Sequence, residues 1–212
     1  MNQELKLLHL DPHVIVVVKP GGLLSVPGRG KDKQDCVTGR IRSLFTDTIR
    51  QPAVHRLDMD TSGLMVLART REAHRSLSID FQEKRVKKVY VALVEGRPQK
   101  TSGRIMLRFR LDPDNRPCQI LDPHHGKPGV TFFKELGVED AGTRIQFTPL
   151  TGRTHQLRLH AAHYLGLGTP IVGDRLYGSG RNPGELCLHA ARLDFHHPVT
   201  KKWLEFESSP PF

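Results

Sequence analysis

The chain has 212 residues, 37% of them hydrophobic, which is enough to bury a substantial core. Lys and Arg outnumber Asp and Glu by 32 to 22, giving a formal net charge of +10, and a field of that sign attracts polyanions, nucleic acid above all. A mean hydropathy of −0.40, no apolar run near the roughly 20 residues of a membrane helix, and no leader-like N-terminus argue against a membrane or secreted protein, so a cytoplasmic address is expected.

In chain order, Val14–Lys19 is a short apolar run stopped by Pro20, and it predicts a buried strand. Pro20–Gly30 is rich in glycine and proline and predicts a long loop. Val37–Phe45 has helical spacing. Leu64–Arg69 predicts a strand, and Arg71–Arg85 a helix with Thr70 as N-cap and Ala73, Leu77 and Phe81 stacked at four-residue steps. Val89–Glu95 reads as a strand apolar on both faces, followed by strands at Arg104–Arg110 and Thr143–Leu150. Asp112–Gly129 reads as a second long loop. Thr154–Leu165 predicts a third helix closed by Gly166, and Leu188–Phe195 and Trp203–Phe206 predict two last strands. Strands outnumber helices and do not alternate with them. The fold class expected is α+β, with a large mixed, mainly antiparallel sheet flanked by helices and loops. Neither long loop resembles a linker, so residues 1–212 are expected to form a single domain.

Three cysteines, Cys36, Cys118 and Cys187, are widely separated and have no zinc-site spacing. His160 and His163 share a helical face without the acidic residue of a zinc-protease helix, and no metal site is expected. Chemistry concentrates instead in three segments. His55-Arg56-Leu57-Asp58-Met59-Asp60-Thr61-Ser62-Gly63 sets a carboxylate and an arginine on a turn just before a buried strand, although by itself such a segment is more readily explained by turn aspartates bonding their own backbone. In Thr151-Gly152-Arg153-Thr154-His155-Gln156-Leu157-Arg158, Thr151 and Thr154 are placed to cap a helix. Arg153 sits at its start, where the peptide dipoles favour an anion rather than a cation, so its natural partner is a carboxylate or phosphate. In Lys87-Lys88-Val89-Tyr90-Val91-Ala92, one tyrosine enters an aliphatic strand, a pattern that a core tyrosine also satisfies.

Together, and in this order, these segments resemble the signature motifs of RluA-type pseudouridine synthases. Lys19-Pro20-Gly21-Gly22-Leu23, Gly173-Asp174-Arg175-Leu176-Tyr177 and Leu188-His189-Ala190 are similar to further parts of that family, so the resemblance runs from about Leu8 to Phe206. Gly22–Arg29 and Asn115-Arg116-Pro117 are similar to the RluA branch itself, which modifies loops in large-subunit ribosomal RNA and transfer RNA. The resemblance implies the pseudouridine synthase catalytic fold without a separate S4-like RNA-binding domain. It also implies isomerisation of uridine in structured rRNA or tRNA stem-loops, by extrusion of the base and aspartate-dependent breaking and re-forming of its bond to ribose. It implies Asp58 as nucleophile or base, Tyr90 against the flipped base, and Arg153 as the counter-ion that keeps Asp58 charged. Arg56, His55, Arg29, Lys87, Lys88, Arg158 and His189 are the expected substrate-contacting residues. No cofactor is expected, since isomerisation needs neither redox equivalents nor an energy source, and a monomer is the simplest state. Two rivals from other classes stay open on the residues alone. One is a hydrolase using Asp58 and Asp60 as acid and base. The other is a basic RNA-binding module without catalysis, against which the low aromatic content of 6% argues.

Overall fold

The computed structural model describes residues 5–212. The chain divides into two compact units, one running up to Lys88 and resuming at His189–Pro211, the other comprising Val89–Leu188 with Phe212.

In the first unit, β1 (Lys6–Leu10) and β3 (Ser62–Ala68) flank β2 (Val14–Lys19), both antiparallel to it. β3 is buried along its whole length, which explains a strand written almost entirely in apolar residues. β9 (Leu188–His196) joins β3 in a parallel pairing, Ser62 opposite His189 and Gly63 opposite Ala190, and β10 (Trp203–Glu207) completes the set antiparallel to β9. Helix α1 (Val37–Leu44) is capped by Cys36, whose Sγ accepts from the Gly39 N–H. Helix α2 (Arg71–Gln82) starts at the expected cap, Thr70 Oγ1 accepting the Ala73 N–H at 3.1 Å. It stops three residues short of Arg85, because Lys84 turns into the left-handed region at φ 60°.

The second unit is an antiparallel array of β4 (Lys87–Val94), β8 (Gly142–Pro149), β7 (Lys127–Glu139), β5 (Ser102–Leu111) and β6 (Gln119–Leu121), paired in that order. One face carries Ile105, Leu107, Phe109, Phe133, Ile145 and Phe147 into a core closed by Leu157 and Leu159 of α3 (Gln156–Ala162). The mixed, mainly antiparallel α+β expectation therefore holds, with β3–β9 a parallel pairing among antiparallel ones.

Three strands were not expected: β1, β6 and the thirteen-residue β7. The loop expected at Asp112–Gly129 contains β6 and the first residues of β7. Lys127-Pro128-Gly129 carries turn punctuation, the adjacent Phe132 and Phe133 hide the two-residue rhythm, and a bulge between Glu135 and Gly137 breaks it. The third helix is shorter than expected, beginning at Gln156 rather than Thr154 and ending at Ala162. Among the described residues, no helix is long and apolar enough to cross a membrane.

Candidate active site

Asp58 sits half-buried on the turn entering β3, closed by the Thr61 N–H donating to the Asp58 carbonyl at 3.2 Å. The turn is clamped against the loop after β2. Gly22 N–H donates to the Met59 carbonyl at 2.9 Å. Ser25 Oγ donates to the Leu57 carbonyl at 2.7 Å and accepts the Leu57 N–H at 3.0 Å. Beneath it, Lys19 is fully buried, with Nζ donating to the carbonyls of Pro20, Leu23 and Met59 at 2.9, 2.7 and 2.7 Å. Three acceptors match the three N–H donors of an ammonium. Burial pulls the Lys19 pKa down to about 7, against the opposing pull of the Asp60 and Asp58 charges. Asp60 is buried and Asp58 is not, so the two carboxylates of the turn occupy different environments.

Gly63 fixes the far side of the turn. Its φ is +110°, and a Cβ there would lie 2.4 Å from the Ala190 carbonyl oxygen and 2.5 Å from its nitrogen. Only glycine permits the β3–β9 approach, which also brings Ser62 Oγ to His189 Nδ1 at 2.8 Å. His189 is buried and also bonds Ser208 Oγ through Nε2 at 3.0 Å. Burial lowers its pKa to about 4, opposed by Ser208. His55 stacks on Phe81 at 4.6 Å between ring centroids, and its Nε2 accepts the Val66 N–H at 3.1 Å. Burial, with the Lys88 charge adding, pushes it down to about 3, a neutral ring that locks the chain just before Arg56. Arg56 and Arg29 are exposed. Lys87 is exposed, its ammonium 5.3 Å from the Trp203 ring centroid, whereas Lys88 is half-buried and burial lowers its pKa.

In the second unit, Tyr90 lies across from Phe147 in the β4–β8 register, half-buried against the core. Arg153 is exposed, its Nε 3.4 Å from the Pro128 carbonyl, three residues ahead of the helix rather than in its first turn. Neither threonine caps α3. The cap position is His155, at φ 54° with no side-chain cap, and Gln156 does the local work: Oε1 accepts the Arg153 N–H at 3.1 Å and the Thr151 hydroxyl at 2.7 Å. The dipole argument for Arg153 therefore loses its helix turn, while the backbone holding that residue is still fixed by Gln156. Arg158 points into the interior, buried with Nε and Nη2 on Asp174 at 2.9 and 2.5 Å. Asp174 also accepts the N–H groups of Leu176 and Tyr177, and the Tyr177 hydroxyl lies 2.9 Å from His155 Nδ1. Arg158 thus frames the segment that carries Arg153.

Sequence reasoning misses Lys19 and Asp174 as residues that hold the site segments. The available signal for Lys19 is a charged residue ending a fully apolar strand directly before Pro-Gly-Gly.

A family model described as RNA pseudouridylate synthase matches residues 13–163 of this chain. The chain belongs to that family. Similarity to individual pseudouridine synthases extends further. The protein named dual-specificity RNA pseudouridine synthase RluA from Pasteurella multocida is 42% identical, over 98% of this chain and 94% of its own length. The protein of the same name from Escherichia coli is 41% identical, over 98% and 94%. Among solved structures, human RNA Pseudouridylate Synthase Domain Containing 1 matches with a TM-score of 0.77 at 29% identity, covering 99% of this chain and 84% of that one. The enzyme is a pseudouridine synthase, an isomerase. Family membership decides against both the glycosidic hydrolase and the non-catalytic RNA-binding module.

Proposed function

We propose that this pseudouridine synthase acts on uridines in stem-loops of both large-subunit ribosomal RNA and transfer RNA. The supporting observation is identity above 40%, across nearly the whole chain, to enzymes named dual-specificity. Asp58 is the nucleophile or base that acts on ribose or uracil after the nucleotide is flipped out of its stack, a step costing a few kcal/mol. Tyr90 packs against the flipped base. Arg153 provides an exposed guanidinium for an anionic partner, in the planar geometry lysine lacks. Arg56, Arg29 and Lys87 are exposed cations suited to the RNA backbone, and the half-buried Lys88 adds a further cation to the set. His55, His189 and Arg158 serve the substrate by holding the segments that carry Asp58 and Arg153, given the partners each already has. A cytoplasmic monomer without cofactor is the simplest setting for this activity.

The test is tritium release from RNA carrying ring-labelled uridine. Asp58→Ala is expected to abolish release with both an rRNA and a tRNA stem-loop, and Asp60→Ala to leave measurable turnover in a less stable enzyme. Retained turnover in the Asp58 variant would remove the assignment, and activity on one RNA class alone would remove the dual specificity.

A further inference from the structure

The second unit has a face that the catalytic reading leaves unused. Strand alternation sends Ile105, Leu107 and Phe109 of β5 and Thr131 and Phe133 of β7 into the core, each no more than 8% exposed. The intervening residues stand on the opposite, solvated face, where Phe132 is 43% and Met106 60% exposed. Arg104 lies directly across from Phe132 in the β5–β7 register, Thr148 flanks the ring from β8, and Lys134 follows two residues on. Arg108, across from Pro128, continues the row on β5.

The charges on this face are one-sided. Among the described residues, Arg104, Arg108 and Lys134 make no ion pair, whereas the neighbouring Arg110 is held by Asp122 and Arg144 by Glu139. The carboxylate nearest in sequence, Glu135, lies across from the fully buried Ile145 and so belongs to the core side. An exposed aromatic ring in a rigid strand, bordered by unpaired guanidinium and ammonium groups and by Thr148 and Gln146, has the composition of a stacking platform for bases with phosphate contacts around it. A protein partner of ordinary surface composition does not call for three uncompensated cations around one ring.

We propose that this β5–β7–β8 face binds a single-stranded segment of RNA, one base stacking on Phe132 and the adjoining phosphates meeting Arg104, Arg108 and Lys134. It rests on the enzyme's acting on structured RNA, and adds a second contact for an unpaired stretch outside the stem-loop that is modified. A duplex would present no base face to the ring, so the preference is for unpaired RNA.

The experiment uses the full chain and a fluorescent oligocytidylate, which has bases and phosphates but no uridine to isomerise, with a minimal uridine-containing stem-loop assayed in parallel. Phe132→Ala and Arg104→Gln are each expected to raise the oligocytidylate Kd about ten-fold, as the loss of one stacked base or one phosphate contact does. Phe132→Trp is expected to keep the affinity, and Arg104→Gln to shallow its salt dependence. Turnover of the minimal stem-loop should stay at the wild-type level in all three, which also reports that the variants fold. Unchanged oligocytidylate affinity in Phe132→Ala overturns the proposal. So does a change in self-association, seen by sedimentation, in place of a change in RNA affinity. Failure of wild-type turnover with oligocytidylate binding intact would strike the catalytic assignment and leave this face standing.

Discussion

Lys19 places an ammonium in a cage of three main-chain carbonyls under the turn that presents Asp58. Burying a charge is tolerated there because every donor has an acceptor and the Asp60 and Asp58 charges oppose the cost. Lys19→Met keeps the volume and removes the donors, leaving buried carbonyls of Pro20, Leu23 and Met59 without this partner. We expect a loss on the order of 3 kcal/mol, read as a lower urea midpoint, together with a fall in kcat as the Asp58 turn loosens. Unchanged stability would show that the cage is incidental. At the same scale the sequence signalled Asp58 through its motif, yet a turn aspartate and a catalytic one are written alike. What sets Asp58 apart from Asp60 is burial, which depends on the loop of Pro20 to Ser25 folding back on the turn.

Two element-level junctions hold the motifs in place. The parallel contact of β3 with β9 needs Gly63, where any Cβ would sit inside the Ala190 backbone. Gly63→Ala is expected to force the strands apart, lowering the thermal midpoint and cutting turnover at least ten-fold. Retention of both would mean that the strands shift without consequence. In the second unit the Arg158–Asp174 pair is buried on both sides. Breaking it strands an uncompensated carboxylate, so Arg158→Met should cost about 3–5 kcal/mol. Adding Asp174→Leu should not restore the loss, because Asp174 also accepts two loop N–H groups, and full rescue in a double-mutant cycle would refute that explanation. Neither junction is legible in the sequence. Gly63 and Arg158 stood within recognised motifs, but what each touches comes from segments over a hundred residues away in one case and on a separate loop in the other.

Acid sensitivity is a property of the whole molecule. Burial lowers the pKa of His55 to about 3, with Lys88 adding, of His160 to about 4, with His163 adding, and of His189 to about 4, with Ser208 opposing. In the unfolded chain each takes its proton near 6.5. Between those values the unfolded state binds more protons than the folded one, so stability is full above pH 6.5 and falls as pH drops through 4. For Asp11, burial is outweighed by hydrogen bonds from His9, Val14 and His13 that bring its pKa to about 2, so its contribution stands above pH 3.8 and is lost below it. The urea midpoint should therefore decline steadily from pH 6.5 to pH 4. His160→Leu should flatten that slope, since it removes one of the buried groups that bind a proton only on unfolding, at the cost of its Nδ1 contact with Thr131 Oγ1. An equally steep slope in the variant would exclude His160 as a contributor.

The sequence by itself determined the reaction and the class of fold. Several short motifs in a fixed order are local features, and strand rhythm is set by neighbouring residues, so both can be read without coordinates. Tertiary structure alone decided which polar residues are buried and by whom they are satisfied: Lys19 in its carbonyl cage, Arg158 turned inward, His55 and His189 neutral, and β6 with the first residues of β7 where turn residues suggested a loop. Burial and partnership arise when distant segments meet, and residue type does not specify that meeting.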